Sequence, residues 1–362
     1  MCAATQPILL PEIEIERPSA PSLTDRCRQF QSLSGAGENA PEPHKRPHWL
    51  LSLDGGGVRG LMHLHTLAEL ERRTGRSVID LFDGIAGTSV GGIIACLLTL
   101  PDPGSPSRPK YSAQALLDIM MARMDRLFVP KKHSFGGTLR THYKTKAIKA
   151  QLNELLGENR FKDRLLPTVL VACRLDSYTE QLFSTTDIQD YFTKDVAMAT
   201  GAAPTYFKPQ RVCAIGATED PTSFDYFTDG GVCMNNPTLA GIALLHEHYQ
   251  VLPRDIHILS LGTGAASEMH ANSHLLRGGS LAWVREIARL CMTGQLSAAD
   301  DTARFYCGDR YHRFDPYLGA GNVRLAEKAP PKLARKIDIC YAVFSEIYWI
   351  WLRYAIKKQS DF

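Results

Sequence analysis

Short apolar runs that end in glycine alternate with amphipathic stretches through the middle of the chain. The apolar run 48–53 is followed by a glycine cluster and then by residues 61–68, whose apolar side chains recur at helical spacing. Residues 81–86 begin a second unit of the same kind, with a glycine turn and then the apolar stretch Gly91–Leu100. Each unit therefore predicts a strand, a tight loop and a helix.

The pattern further along the chain completes an alternation of helices and strands. Helices are predicted over 112–127 and 144–157, strands over Leu165–Cys173 and Ile256–Leu261, and a proline-rich loop over 101–109. Because strands alternate with helices, we predict an α/β fold in which a mainly parallel sheet is covered by helices on both faces.

The two ends of the chain have a different pattern. Residues 1–47 hold seven of the 21 prolines and no sustained hydrophobic period, which indicates an irregular leader. Residues 321–362 are predicted to form a linker and an aromatic-rich helix over Ile337–Ile356. Charged residues interrupt this helix, and its uncharged runs fall short of the roughly 18 residues of a membrane span. We expect it to pack on the core, with contact to a membrane surface as the alternative. The main domain is expected over 48–320.

Composition and charge exclude several classes of protein. The 362 residues are 44% hydrophobic and 22% charged, which is the composition of a globular protein. The 41 basic and 38 acidic residues give a net charge of +3, which predicts no binding of DNA or RNA through bulk charge. The nine cysteines include no C-x-x-C pair, no metal cluster is evident, and the first residues do not form a signal-peptide pattern. We therefore expect a cytoplasmic protein without a metal.

The first glycine cluster has two interpretations. Gly55, Gly57 and Gly60 fit the G-x-G-x-x-G pattern of dinucleotide-binding proteins, and Asp80 lies about 20 residues further on. The same glycines would also allow backbone amides to bind the oxyanion of an acyl-transfer reaction. A dinucleotide-dependent oxidoreductase is therefore one hypothesis, and an acyl hydrolase is the other.

A second motif favours the acyl hydrolase. Residues 87–91 match the G-x-S-x-G nucleophile elbow and place Ser89 between a predicted strand and a predicted helix. A serine nucleophile needs a base, and Asp229 within Thr-Asp-Gly-Gly is a candidate. No motif marks any of the 12 histidines, and we expect His257 and His312 to be structural.

Three stretches taken together resemble the patatin-like phospholipase family. They are Asp-Gly-Gly-Gly-Val-Arg-Gly at 54–60, Gly-Thr-Ser-Val-Gly-Gly at 87–92, and Asp-Gly-Gly-Val-Cys-Met-Asn-Asn-Pro at 229–237. Residues 197–209 and 259–264 support the resemblance, which covers about residues 48–320. It implies that family's three-layer α/β/α fold, with a nucleophile elbow and a catalytic domain over 48–320.

The resemblance also implies the site and the reaction. Ser89 matches the family's nucleophile and Asp229 its carboxylate partner, which together form a Ser–Asp dyad without histidine. The oxyanion-binding loop is matched by Gly55, Gly56, Gly57 and Arg59. The implied reaction is hydrolysis of fatty-acyl esters of membrane phospholipids through an acyl-enzyme. Because no metal cluster is evident in the sequence, we expect this chemistry to be independent of calcium and to require no cofactor. Such a dyad requires a partly desolvated Asp229 held close to Ser89, because an exposed aspartate is a weak base.

A narrower resemblance concerns regulation. In its length, short leader and extra C-terminal helix the chain is similar to bacterial patatin-like effectors of anti-phage defence, which cyclic dinucleotides activate. This implies a cyclic dinucleotide as a ligand and action at the inner face of the membrane. No motif marks a nucleotide pocket, so an unregulated housekeeping lipid esterase is the alternative. The oligomeric state stays open, with a homo-oligomer among the expectations.

Overall fold

The apolar runs and amphipathic stretches form strands and helices in the predicted order. The computed structural model describes residues 46–131, 141–217, 225–264 and 280–316, with the backbone alone described for 280–292. Its strands are β1 (His48–Leu53), β2 (Gly84–Thr88), β3 (Pro101–Asp102), β4 (Ser105–Pro109), β5 (Thr168–Arg174), β6 (Glu180–Ser184), β7 (Gln210–Val212), β8 (Asp225–Asp229), β9 (Ile256–Leu261) and β10 (Tyr311–Phe314). Its α-helices are α1 (Leu61–Thr74), α2 (Val78–Leu81), α3 (Val90–Leu98), α4 (Ala113–Leu127), α5 (Thr145–Leu156), α6 (Thr193–Thr200), α7 (Thr238–Tyr249) and α8 (Ser280–Cys307).

One large sheet runs through the described part of the chain. Its strand order is β10-β9-β1-β2-β5-β8-β7, and β6 also pairs with β5. The strands from β10 to β5 are mutually parallel, whereas β6, β7 and β8 are antiparallel to their neighbours. The predicted mainly parallel sheet is therefore confirmed, with an antiparallel portion that the hydrophobic pattern did not predict.

Alternate residues of β1 contribute to two separate hydrophobic layers. Leu51 and Leu53 pack with helices α1 and α3, whereas Leu50 belongs to the layer formed by α7 and α8. Successive side chains of a strand point to opposite faces of the sheet, so the continuous apolar run buries both faces of this central strand. The predicted three-layer α/β/α architecture is confirmed.

The second predicted strand begins later than expected. Residues 81–86 were predicted to be a strand, but Leu81 ends helix α2 and β2 begins at Gly84. Ser77 and Asp80 form a capping box in which each side chain bonds the other residue's backbone N–H, and this stabilises the short helix. The predicted start of this strand is wrong, because the capping box at Ser77 and Asp80 favours a helix over the apolar run.

The proline-rich stretch is a hairpin rather than a loop. Strands β3 and β4 pair antiparallel around a turn in which Gly104 N donates to Asp102 Oδ1 at 3.1 Å. An aspartate that bonds the backbone two residues further on stabilises such a turn. A two-stranded ribbon has free outer edges, so it tolerates prolines that lack an N–H donor.

Other predicted elements differ mainly at their boundaries. Strand β5 begins at Thr168 rather than Leu165, directly after Pro167, which has no N–H for the ladder. The predicted leader, apart from residues 46–47, and the helix Ile337–Ile356 lie outside the described residues, so the domain boundaries stay predictions. Among the helices that the structure describes, none combines the length and the apolar character needed to cross a bilayer.

Candidate active site

The ends of strands β2 and β8 meet on one edge of β5. Because β6 pairs along the opposite edge of β5, β2 and β8 share the remaining edge. Parallel β2 ends with Thr88 opposite Val171, and antiparallel β8 ends with Asp229 opposite Ala172. The carboxyl ends of the two strands therefore face each other, and Ser89, which directly follows β2, lies beside Asp229.

Ser89 is at a strained turn between β2 and α3. Its backbone has φ 55° and ψ −124°, a region that non-glycine residues rarely occupy. The flanking glycines permit the sharp turn: a Cβ at Gly91 would lie 2.2 Å from the Leu53 carbonyl oxygen, and one at Gly87 would lie 2.6 Å from the Gly92 backbone. The half-buried Ser89 hydroxyl is thus held at the N-terminus of α3, where the helix dipole favours negative charge.

Asp229 is a buried carboxylate that contacts the serine directly. Ser89 Oγ donates to Asp229 Oδ2 at 2.5 Å, and the amide of Gly231 donates to Asp229 Oδ1 at 2.7 Å. Burial raises the pKa of the Asp229 carboxyl to about 6, and the hydrogen bonds from Ser89 and Gly231 oppose that rise. The aspartate is therefore a stronger base than an exposed one, while its position is set by two hydrogen bonds.

The first glycine cluster packs against the serine. A Cβ at Gly55 would lie 3.1 Å from Ser89 Cβ and 2.4 Å from Asn235 Oδ1, so only glycine allows this approach. Gly57 has a positive φ of 59°, which turns the loop into a 3-10 turn before α1. Within the described ranges the amides of Gly56 and Gly57 donate to no protein atom. These two amides are thus available to bind an anion beside Ser89.

The other two residues predicted for this loop have different contacts. The Gly55 amide donates to the Asn235 carbonyl at 3.2 Å, so it is not available as a donor to an oxyanion. The Arg59 guanidinium donates to the carbonyls of Gly264 at 3.2 Å and Gly56 at 3.5 Å. Burial lowers the pKa of Arg59, and nearby Asp315 opposes this. In this geometry Gly55 permits close packing and Arg59 bonds the carbonyls of the loop, and the assignment of these two residues to the oxyanion-binding loop stays a prediction.

Three polar residues that were not singled out hold the site together. Thr200 accepts the Ser89 amide at 2.9 Å, and Thr263 Oγ1 donates to the Gly55 carbonyl at 2.9 Å. Asn235 Nδ2 donates to the same carbonyl at 3.4 Å. All three are in stretches that carry the family resemblance, but each is joined to its partner by long-range packing that no local pattern indicates.

The alternative interpretation of the glycine loop requires an acidic residue beside it. Asp80 lies in α2, just before β2 begins, whereas the loop follows the end of β1. Because β1 and β2 are parallel neighbours, these two positions are at opposite ends of the strands. Asp80 instead caps its own helix and pairs with Arg108 at 3.3 Å. The structure contradicts the dinucleotide-binding fingerprint, whose acidic residue follows the second strand.

The histidines singled out from the sequence lie on strands away from these contacts. His257 on β9 stacks on Trp49 at a ring separation of 4.7 Å, and His312 is on β10. Burial, together with His257, lowers the pKa of His312 to about 4. In the described ranges no histidine bonds Ser89 or Asp229, and no three His, Cys, Asp or Glu side chains are grouped to hold a metal.

A family model described as patatin-like phospholipase matches residues 51–242, slightly more than half of the chain. The chain belongs to this family. The matched range includes the glycine loop, Ser89 and Asp229, whereas strands β9 and β10 of this patatin-like chain lie beyond it.

Similar proteins come from plants, bacteria and mammals. The patatin-like protein 1 of Oryza sativa subsp. indica is 32% identical over 282 aligned positions, which cover 69% of this chain and 66% of that protein. The cGAMP-activated phospholipase of Vibrio cholerae serotype O1 is 30% identical over 236 aligned positions, which cover 59% of this chain and 63% of that protein. The 85/88 kDa calcium-independent phospholipase A2 of Mus musculus is 27% identical over 365 aligned positions, 88% of this chain and 42% of that protein. The patatin-like chain thus spans less than two thirds of the length of each.

Proposed function

We propose that this protein is a lipid acyl hydrolase that cleaves fatty-acyl esters of phospholipids with a Ser89–Asp229 dyad. The observation that carries the proposal is the 2.5 Å hydrogen bond from Ser89 Oγ to Asp229 Oδ2 at a strained elbow. Membership of the patatin-like phospholipase family supports the reaction class. A hydroxyl bonded to a buried carboxylate, beside free backbone amides, is suited to acyl transfer.

In the first step Ser89 Oγ attacks the ester carbonyl carbon while its proton passes to Asp229 Oδ2. The carbonyl π electrons move to oxygen and form a tetrahedral oxyanion. When the oxyanion collapses, the bond to the alkoxide leaving group breaks, and Asp229 returns the proton to that group. The products are an acyl-serine ester and the deacylated lipid. Water then hydrolyses the acyl-enzyme with the same groups. Asp229 takes a proton from water, and the hydroxide attacks the acyl ester. Ser89 leaves with that proton as the fatty acid is released.

The free amides of Gly56 and Gly57 are the proposed oxyanion donors. They belong to a loop that packs against Ser89, and they lack acceptors in the described part of the chain. The Ser89 amide is not a candidate, because Thr200 accepts it. Donors that are already oriented toward the developing charge stabilise the transition state without reorganisation, and removing one costs about 10²- to 10³-fold in rate.

Two finer proposals concern regulation and location. We propose activation of this chain by a cyclic dinucleotide, which the similarity to a cGAMP-activated phospholipase supports, together with a role in anti-phage defence. We further propose that the enzyme is cytoplasmic and acts on phospholipid at the inner face of the membrane. The alternative within the same chemistry is an unregulated lipid esterase, and the two differ in whether hydrolysis requires the nucleotide. We also propose that the chemistry needs no calcium or other cofactor, because the proposed steps use only side chains and backbone amides.

The test is fatty-acid release from phospholipid vesicles by the wild type and by Ser89→Ala, each with and without a panel of cyclic dinucleotides and with a calcium chelator. We expect Ser89→Ala to lose at least about 10³-fold of the activity. The matched control is Ser297→Ala on the exposed surface of α8, which should leave release unchanged.

Each outcome separates the proposals. Release that persists in Ser89→Ala would contradict the assigned nucleophile. Equal release with and without every nucleotide would contradict regulation but leave the hydrolase in place. Release that disappears with the chelator would contradict the cofactor-free chemistry.

A further inference from the structure

A buried ion pair lies beside the start of the glycine loop. Arg313 on β10 donates from Nη2 to Asp54 Oδ2 at 2.7 Å, and Asp54 is the residue that precedes Gly55. The Asp54 side chain has 0% exposure and the Arg313 side chain 5%. The pair therefore joins the last strand of the sheet to the start of the loop that holds the proposed oxyanion donors.

The same arginine reaches the other side of the loop through a chain of contacts. Arg313 Nη2 also lies 2.9 Å from Asp315 Oδ2. Asp315 Oδ1 accepts the Gly264 amide at 2.8 Å, and the Gly264 carbonyl accepts Arg59 at 3.2 Å. Arg59 in turn bonds the Gly56 carbonyl. The loop is thus held at Asp54 and at Gly56 by connections that converge on Arg313.

Two further groups fix the guanidinium itself. Arg313 Nη1 donates to Ser260 Oγ at 2.9 Å, and Nε lies 3.7 Å from Asp300 on α8. A planar guanidinium with several donors can bridge such a set of acceptors, which a lysine ammonium cannot do with the same geometry. The position of Arg313 is therefore set by β9, α8 and its own strand.

Burying this ion pair costs solvation free energy that a contact between apolar side chains would not cost. Burial raises the pKa of Asp54 and Arg313 opposes that rise, while Asp54 Oδ1 has no partner within the described ranges. Buried ion pairs often contribute little net stability compared with apolar residues of similar volume. The pair instead specifies one position for the backbone at Asp54, and hence for the next three residues.

We propose that Arg313 is a positioning residue for the reaction, which acts through Asp54 and Asp315 to hold the Gly56 and Gly57 amides where the oxyanion forms. The inference rests on the proposed function, and it adds a residue from β10, outside residues 51–242 that the family model matches. Arg313 itself touches no reacting atom in this proposal. Its loss should therefore lower transition-state stabilisation more than substrate binding.

The experiment measures kcat and KM for a short-chain soluble ester and the Ki of an alkyl trifluoromethyl ketone, which forms a tetrahedral adduct with a serine. For Arg313→Met we expect kcat to fall about 100-fold, because a misplacement of about 1 Å costs that much, with KM changed less than about threefold. The Ki for the ketone should rise by a factor similar to the loss in kcat/KM. Arg254→Met is the matched control: this exposed arginine precedes β9, at the opposite end of the strands from the glycine loop, and all three constants should stay unchanged.

Arg313→Lys keeps the positive charge beside Asp54, and it tests the proposal if Arg313→Met does not fold. It should fold, as judged by circular dichroism and thermal unfolding, with kcat about tenfold lower and a parallel rise in the ketone Ki. A folded Arg313 variant with wild-type kcat, or a loss confined to KM, or an unchanged ketone Ki would overturn the proposal. Failure of the proposed function itself has a different signature: the wild type would not bind the ketone, and Ser89→Ala would retain ester hydrolysis.

Discussion

The hydroxyl of Thr200 joins Ser89 to the central sheet. It accepts the Ser89 amide at 2.9 Å and donates to the carbonyl of Val171 on β5. The backbone of Ser89, with φ 55°, is in a conformation that costs of order 1–3 kcal/mol and persists only where its surroundings hold it. One threonine at the end of α6 therefore holds the strained residue against the strand that also pairs with Asp229.

Substitution Thr200→Val should destabilise the protein and slow hydrolysis. Valine has the shape of threonine but leaves the buried Ser89 amide without an acceptor, which costs about 1–3 kcal/mol of unfolding free energy. We expect kcat to fall about tenfold or more, because Ser89 can then relax away from Asp229. Urea unfolding and ester hydrolysis measure the two effects. Thr200→Ser retains the hydroxyl and should stay close to the wild type. A Thr200→Val variant that behaves like the wild type would contradict a role for the hydroxyl.

The rate of hydrolysis should rise with pH through the pKa of Asp229. Burial raises that pKa to about 6, and the carboxylate must be ionised to accept the Ser89 proton. The kcat/KM for a soluble ester, measured from about pH 4.5 to about pH 8, should therefore increase with a midpoint near 6 and then level off. A midpoint near that of an exposed aspartate, about 4, would mean that Asp229 is not the titrating base.

The same pKa shift predicts a stability effect of opposite sign to the activity. Because the pKa of Asp229 is higher in the folded state, that state binds more protons between about pH 4 and about pH 6, and the unfolding free energy falls as pH rises through this window. At about pH 8 Asp229→Asn should be more stable than the wild type by up to about 3 kcal/mol, because the pKa of Asp229 is about 6 when folded and about 3.9 when unfolded. The same variant should lose activity. Exposed Asp301→Asn is the control. Denaturant unfolding at about pH 4 and about pH 8 tests this prediction. An Asp229→Asn variant that is less stable than the wild type at about pH 8 would contradict it.

Two glycine-to-alanine substitutions should affect different properties, one the activity and the other the stability. A Cβ at Gly55 would meet Asn235 Oδ1 at 2.4 Å and Ser89 Cβ at 3.1 Å, so Gly55→Ala must displace the loop, Asn235 or Ser89, and it should lower kcat about 100-fold. Gly294 is inside α8 with nothing within 4 Å of its added Cβ. Gly294→Ala should leave kcat unchanged and raise the unfolding free energy by about 0.5–1 kcal/mol, since alanine favours the helix. Wild-type kinetics for Gly55→Ala would show that the loop can shift without loss.

Much of the fold follows from local patterns. The apolar run 48–53 and the run Ile256–Leu261 are long enough, and sufficiently bounded by glycine or proline, to specify strands β1 and β9. The glycines at 87 and 91 indicate a tight turn, because glycine lets backbone segments approach closely. In the structure an added Cβ at either position would clash with backbone atoms. Local patterns failed where short-range chemistry competed with hydrophobicity, as at the capping box of Asp80 and in the proline hairpin.

The sequence by itself determined the strand–loop–helix units, the elbow at Ser89 and the candidate base Asp229, because these depend on residue type and short spacing. Only the tertiary structure decided that the two residues, 140 positions apart, are in contact. That contact exists because β6 takes one edge of β5, which leaves β2 and β8 to meet end to end on the other. Tertiary structure also brought Arg313 into contact with Asp54, which is 259 positions away in the sequence. Which strands share an edge is set by the packing of the whole sheet, and no local pattern of hydrophobic and polar residues encodes it.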